Sequence, residues 1–463
     1  MRPSIHATLA ALCASAGFTL LSAAEDTSAD QKMLQSIYAA ALTSSPAYEH
    51  LRELTTQFPG RLSGSKHLEG AILWAKATLE QTGVDRLEIQ PVMVPHWERG
   101  AAESVQLLSR TSGVAPVGLT AVALGGSVPT PASGLHAQVV ELHSLDELKT
   151  TDVKGKIVFF NRPMNPVYLT TFQAYGEAGD QRNRGPGEAA KYGAVGAVVR
   201  SLTLALDDVP HTGYTGYLPD TPKIPAAALS TLAAARLSAA LKADPATEVA
   251  MQIHSQWFDD APSANVIGEI KGSEHPEQVL LVGGHLDSWD IAPGAHDDGA
   301  GVVQSIEVLR LLKATGYQPR HTIRCVLFTS EENSLNGAVE YARIAGEKHE
   351  EHLLALESDG GGFQPHGIQL GNTRGTAHTR AARWLPLLEP YGITRFENGG
   401  GGADVSPLMA KGYTVGEILP DSQRYFDYHH TAIDSLDKVN KRELEIGAAT
   451  MAALVYLVDQ HGL

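Results

Sequence analysis

Cysteine is nearly missing from this chain: Cys13 and Cys325 are the only two among 463 residues. Cys13 falls in an N-terminal stretch that reads as a leader, so the remainder keeps one thiol and no intramolecular disulfide is possible. Cys325 sits in the apolar run 321–328, where a buried small hydrophobe is the plain reading. Basic residues are also short, 36 Lys and Arg against 52 Asp and Glu, and no basic cluster occurs. That balance argues against nucleic acid or an anionic membrane as partner. The longest apolar stretch, residues 7–21, falls short of the roughly 20 residues a membrane span needs, so no stable anchor is expected. Two catalytic signatures are absent. His349-Glu350-Glu351-His352 has the wrong spacing for His-Glu-x-x-His, and no Gly-x-Ser-x-Gly elbow exists.

What is present begins with the leader. Arg2, the apolar stretch and the small residues Ser22, Ala23 and Ala24 follow the order of a cleavable secretory signal over residues 1–24. Leu12 precedes Cys13 where a lipoprotein signal would want a small residue. A secreted or periplasmic protein is therefore expected. The rest is globular in composition, 43% hydrophobic and 19% charged, and long enough for two or three domains. Residues 30–58 and 66–82 read as helices, the second carrying Ile72, Trp74, Ala75 and Leu79 at near-helical spacing before a stop at Gly83. The turn-rich loop 59–65 joins them, and a strand follows at 85–94. From 112 to 255 short β-runs (156–160, 194–199, 224–229) alternate with small-residue helices such as 232–241 and long Gly/Pro/Tyr loops. This texture predicts a smaller β-rich domain inserted between catalytic segments 25–111 and 256–463. After 260 the chain alternates strand and helix: strands at 278–283, 322–329 and 353–357, helices at 302–312, 335–345 and 376–391. The fold class is α/β, a mostly parallel sheet with helices on both faces.

Each predicted strand of the last segment ends in ionisable residues. The first ends at His285 and Asp287, the second at Glu331 and Glu332, the third at Glu357 and Asp359. Asp297-Asp298-Gly299 precedes a helix, and His429-His430 with Asp434 lies near the C-terminus. Taken singly, these are ordinary turn residues. Parallel neighbouring strands, however, bring such ends to one rim, where open α/β sheets bind ligands. Burying unpaired carboxylates costs several kcal/mol per ion, and too few Lys or Arg lie near these motifs to compensate. Metal is the remaining counter-charge. Carboxylates from Asp297, Glu332 and Asp359, together with a hydroxide, would be balanced by two divalent ions. Imidazole and carboxylate ligands with an open position suit catalytic zinc, and cobalt or manganese fit the same ligand types.

In order and approximate spacing, these motifs resemble the di-zinc exopeptidases that include bacterial leucyl aminopeptidases and the glutamate carboxypeptidases. The plasma glutamate carboxypeptidases are the nearest group, and the similarity covers nearly the whole mature chain. The inserted segment, with its loop at His211-Thr212-Gly213, resembles a protease-associated domain. The resemblance implies two Zn2+ per chain with Asp297 bridging them. His285 and Asp359 would complete one site, Glu332 and His430 the other. Glu331 would be general base and acid, and Asp287 would hold His285 through its second ring nitrogen. His429 competes with His430; the family pattern, with Asp four residues after the ligand, favours His430. Asp404 falls where relatives have an active-site loop Asp, and His296 is given no role. The expected activity is hydrolysis of dipeptides or short peptides by a metal-bridged water. Carboxypeptidase and dipeptidase action is one reading and aminopeptidase action the other. A glutaminyl cyclase of this fold would not need two metals, and a non-catalytic binding homologue should have lost ligands or base. Homodimerisation is expected from the resemblance alone.

Overall fold

The computed structural model describes residues 28–109 and 113–463; the expected leader at 1–24 lies outside them. The predicted first helix is two, residues 28–44 and Ala47–Gln57. Pro46 has no N–H to continue the first, and Ser45 Oγ accepts Ala47 N at 3.1 Å. A third helix, Lys66–Gln81, is capped by Ser65, which accepts Leu68 N.

The first sheet has eight strands in the order Arg86–Glu98, Gln256–Ile270, His321–Phe328, His275–His285, Glu351–Glu357, Val415–Leu419, Gly367–Gly371 and Arg395–Glu397. Its centre, from His321–Phe328 to Val415–Leu419, is parallel, while Gln256–Ile270 and Gly367–Gly371 pair antiparallel with their inner neighbours. The sheet is thus mixed, where the strand–helix alternation predicts a mostly parallel one. That alternation reaches only the central strands. Gln256–Ile270 is exposed over its first half, carries no apolar period there, and pairs along its length with Arg86–Glu98.

Both faces of the centre are covered, which explains the unbroken apolar run from Val279 to Val282. Leu280, Val282, Ile323, Cys325, Leu354 and Leu356 share one core with helices Lys66–Gln81, Ala300–Ala314 and Lys441–His461. Val279, Leu281, Val326 and Ala355 share the other with Asn336–Glu347. The region predicted as one helix at 376–391 is a succession of four short helical pieces, with Pro386 and Pro390 at the starts of the last two.

A second eight-stranded sheet is built wholly from strands between Ser104 and Gln252. It has separate cores on its two faces, with helix Thr231–Ala243 on one and Gly185–Lys191 on the other. The two sheets meet at Gly125, where a Cβ would lie 2.0 Å from the Trp289 ring. Among the described residues no helix is long and apolar enough to cross a membrane.

Candidate active site

Three parallel strands end side by side. His285 is the last residue of its strand and pairs with Phe328; Leu286 N donates to Phe328 O at 2.7 Å and Ser358 N to Gly283 O at 3.0 Å. His285, the Glu331–Glu332 pair and Asp359 therefore share one rim. Asp297 reaches it from the turn Ala295–Gly299 before helix Ala300–Ala314. His430 arrives from a loop in which it adopts a left-handed conformation, φ 61°.

Asp297 stands between two groups. His285 Nε2 is 3.4 Å from Asp297 Oδ1 and 3.4 Å from Asp359 Oδ1. On the other side His430 Nε2 is 3.4 Å from Asp297 Oδ2 and 3.2 Å from Glu332 Oε2. His429 is farther, its Nε2 4.0 Å from Asp297 Oδ2, and its ring stacks on His430 at 3.5 Å. The ligand-type atoms of Asp297, His429 and His430 form one compact group, those of His285, Asp297 and Asp359 another. Buried Asp297 Oδ2, Glu332 Oε1 and Asp359 Oδ1 have no hydrogen-bond partner. Orphaned oxygens facing ring nitrogens are what a cation site looks like, because leaving them so is costly otherwise.

The other ring nitrogens face carbonyls. His285 Nδ1 lies 3.1 Å from Asp287 O, while His430 Nδ1 lies 3.3 Å from Thr212 O and 3.3 Å from Arg182 Nη1, which only donates. A carbonyl only accepts, so at His285 this contact favours a proton on Nδ1 and a lone pair of Nε2 aimed into the cluster. Asp287 departs from its expected role in detail. Its carboxylate is 3.8 Å from His285 Nδ1, beyond hydrogen-bond reach. Instead it accepts Glu331 N at 3.0 Å and Glu332 N at 3.2 Å, fixing the turn that presents both glutamates. Asp434 accepts His296 N and Asp297 N at 2.8 and 3.1 Å, and Asp298 accepts His285 N and Gly301 N at 3.0 and 2.9 Å. Three buried aspartates that face no ligand position directly thus clasp the backbone of those that do.

Without cations Asp297 ionises readily, since its contacts with His285, His430 and His429 outweigh burial, but the other carboxyl groups of the floor resist ionising. Burial raises Glu332 and Asp359, and pushes Glu331 up to about 8, with His285 opposing and Asp359, Asp287 and Asp297 adding to the rise. Burial would lower His285, but its contacts with Asp297 and Asp359 outweigh this and raise it well above its ordinary value. His430 goes well below, through burial and then the neighbouring His429.

The centre opens into a cavity of about 320 Å³. Its floor is Asp297, Glu331, Glu332, Asp359, His429 and His430; its walls include Phe172, Tyr175, Arg182 and Tyr214 from the second-sheet segment, with Tyr425. The sequence carries no local sign of Phe172, Tyr175 and Arg182, which lie over a hundred positions from His285, the nearest of the predicted ligands. Arg182 is buried, with Nη1 donating to Thr212 O at 3.2 Å, Nε to Asn183 Oδ1 at 3.1 Å and Nη2 to the Tyr175 hydroxyl. Asp404 is buried with both carboxyl oxygens unpartnered, and its N–H donates to Glu357. His296 packs between Phe363 and Tyr428, ring centroids 4.2 and 5.4 Å away.

Comparison with known proteins agrees with this arrangement. The profile of peptidase family M28 matches residues 265–455, which contain every residue of the floor. Human carboxypeptidase Q is 35% identical over 414 residues, 89% of this chain and 85% of that protein. The crystal structure of a peptidase M28 precursor from Shewanella amazonensis SB2B superposes with a TM-score of 0.88 at 35% identity, covering 93% of this chain and 97% of that one. A zinc aminopeptidase from Bacillus subtilis shares the fold, with TM-score 0.64 at 21% identity over 89% of this chain and 94% of its own. The chain belongs to peptidase family M28 and is a metallopeptidase.

Proposed function

We propose that the chain is an exported di-zinc exopeptidase acting on dipeptides or short peptides in the manner of a carboxypeptidase Q. The observation that carries this reading is the shared carboxylate. The two oxygens of Asp297 face two different His–carboxylate pairs, with edges of 3.2–3.4 Å. Tetrahedral zinc with bonds of about 2.0–2.2 Å has ligand–ligand edges of about 3.3–3.6 Å, so the donor set fits one ion on each side. His285 and Asp359 would hold one with Asp297, Glu332 and His430 the other. His430 is preferred to His429 because its Nε2 lies within 3.4 Å of both Asp297 and Glu332, while His429 Nε2 stands 4.0 Å from Asp297.

Two divalent ions held there would supply Lewis-acid polarisation of the scissile carbonyl and of water. The chain supplies the rest. Glu331, set by the Asp287 clasp, takes the proton from the attacking water and returns it to the leaving amine nitrogen as the C–N bond breaks. Of the five N–H groups of the Arg182 guanidinium, four face Thr212 O, His430 Nδ1, Asn183 Oδ1 and the Tyr175 hydroxyl, which leaves its charge and one donor on Nη2 for an anion at the cavity wall. A free substrate carboxylate matches them, which supports carboxypeptidase or dipeptidase action over aminopeptidase action.

The strands between Ser104 and Gln252 are read as the protease-associated-like unit expected at 112–255, supported by their separate cores. Export rests on the leader at 1–24; a mature N-terminus at Glu25, read by sequencing the purified protein, checks it. The activity is tested by giving zinc-loaded protein unblocked, N-acetylated and C-amidated peptides and reading products by mass spectrometry. Cleavage that requires a free carboxylate supports the proposal. Cleavage that requires only a free amine replaces it with an aminopeptidase, and no cleavage across a broad panel contradicts both.

A further inference from the structure

Arg61 is the one arginine among the largest fully buried side chains. Its guanidinium binds carbonyls: Nε donates to Leu286 O at 2.6 Å, Nη1 to Pro293 O at 2.6 Å and Nη2 to Gly294 O at 2.9 Å. These three oxygens bracket the loop 286–294, the segment that joins His285 to the turn carrying Asp297. Backbone ties lock the same pieces together, with Gly60 N on Ala292 O at 2.7 Å and Arg61 N on Ser288 Oγ at 3.3 Å. Gly60 adopts φ +63°, and a Cβ there would lie 2.5 Å from Asp290 O, so the approach leaves no room for a side chain.

The charge of Arg61 has an addressee as well. The carboxylates acting on it through space are Asp434, then Asp287, Asp298 and Asp297. The first three are the aspartates that clasp the backbone of His296–Asp297, Glu331–Glu332 and His285. Each is wholly buried. Uncompensated, such a layer destabilises itself. Two divalent cations would neutralise the ligand layer above it, but not this one.

We propose that Arg61 is a positioning residue for the metal centre. It fixes the spacing between His285 and Asp297 through the 286–294 loop, and it supplies counter-charge to the aspartate layer that aims the ligands. The inference rests on the two-metal reading above. Side chains of this kind, one step behind the ligands, typically set metal affinity by 10–100-fold.

The test uses the full-length mature protein, wild type beside Arg61→Lys and Arg61→Met. Zinc affinity is measured by competition with a chromophoric chelator, the visible spectrum of the cobalt-substituted protein reports ligand geometry, and melting is followed with and without zinc. Arg61→Met is expected to bind zinc about 10–100-fold more weakly, with an altered cobalt spectrum and a smaller zinc-induced rise in Tm. Arg61→Lys keeps the charge but cannot reach three carbonyls, and should fall between. A purely structural role would lower the melting of metal-free and loaded protein alike and leave affinity and spectrum unchanged; that result overturns the proposal. If Arg61→Met fails to fold, Arg61→Lys decides: wild-type affinity and spectrum overturn the proposal, weakened affinity upholds it. A wild type that binds no metal removes the two-metal reading itself, and the proposal with it.

Discussion

The floor and the wall of the cavity differ in origin. The floor is made of strand ends, a helix-leading turn and the loop carrying His429 and His430, packed against the apolar cores of one sheet, and its groups are carboxylates and imidazoles. The wall comes largely from the short helices Thr171–Ala178 and Asp180–Asn183 that connect strands of the other sheet, and its groups are aromatic rings and Arg182. The difference separates chemistry from choice of substrate. The floor can host bond cleavage whatever the side chains of the peptide, while the wall meets what lies on either side of the scissile bond.

The sharpest way to break this division is Glu331→Gln. It should lower kcat by about 10²–10⁴-fold while metal content stays at the wild-type level, checked by turnover and elemental analysis on the same sample. A loss of metal instead would make Glu331 a ligand and not a base. Arg182→Met acts on the wall. Replacing a charge-assisted hydrogen bond, worth about 1.5–3 kcal/mol, should raise KM for substrates with a free carboxylate by about 10–100-fold and leave amidated substrates unaffected. Equal losses on both would assign Arg182 to holding Thr212 and His430 rather than to substrate.

Legibility in the sequence follows the same line. Glu331, Glu332, Asp359 and Asp297 could be read because each stands at a fixed place relative to a strand end or a helix start, where an apolar run gives way to polar residues; His429 and His430 lie in a loop and were read through the family pattern. Glu332, four positions past Phe328, is visible for that reason. Asp287 was visible as a residue but not as a clasp for Glu331 and Glu332, since that bond joins two strand ends 44 positions apart. Arg61 and Arg182 were invisible, because nothing local distinguishes an arginine bound to buried carbonyls from one in solvent. In the fold, the apolar period gave the central strands. It missed Gln256–Ile270, whose exposed first half has no such period, and it ran through the break that Pro46 imposes.

Two smaller effects sharpen the comparison. Gly125→Ala pushes a methyl into Trp289 where the sheets meet, and overpacking of this kind costs about 1–3 kcal/mol. Chemical denaturation should show that loss; unchanged stability would mean the junction gives way easily. The last concerns pH. In metal-free protein burial raises Glu331 and Glu417 to about 8 and Asp434 to about 7. Carboxyls raised in the folded state stabilise it while they hold their protons, and that contribution is lost as pH rises through these values. Buried His211, His296 and His429 are lowered, to about 4, 4 and 3, and oppose this trend only below their ordinary value of 6.5. Between pH 6.5 and 8.5, then, the Tm of chelated protein should fall, and the gain on adding zinc should grow. A flat profile in that window would contradict the buried-carboxylate account.

The central claim is that Asp297 is shared between two metal sites. Zinc content per chain, measured on metal-saturated protein together with anomalous scattering from its crystals, tests this most directly. The account predicts two ions per chain about 3.5–4 Å apart, one on each oxygen of Asp297. A single ion, or two ions with Asp297 bound to neither or only one, would contradict it.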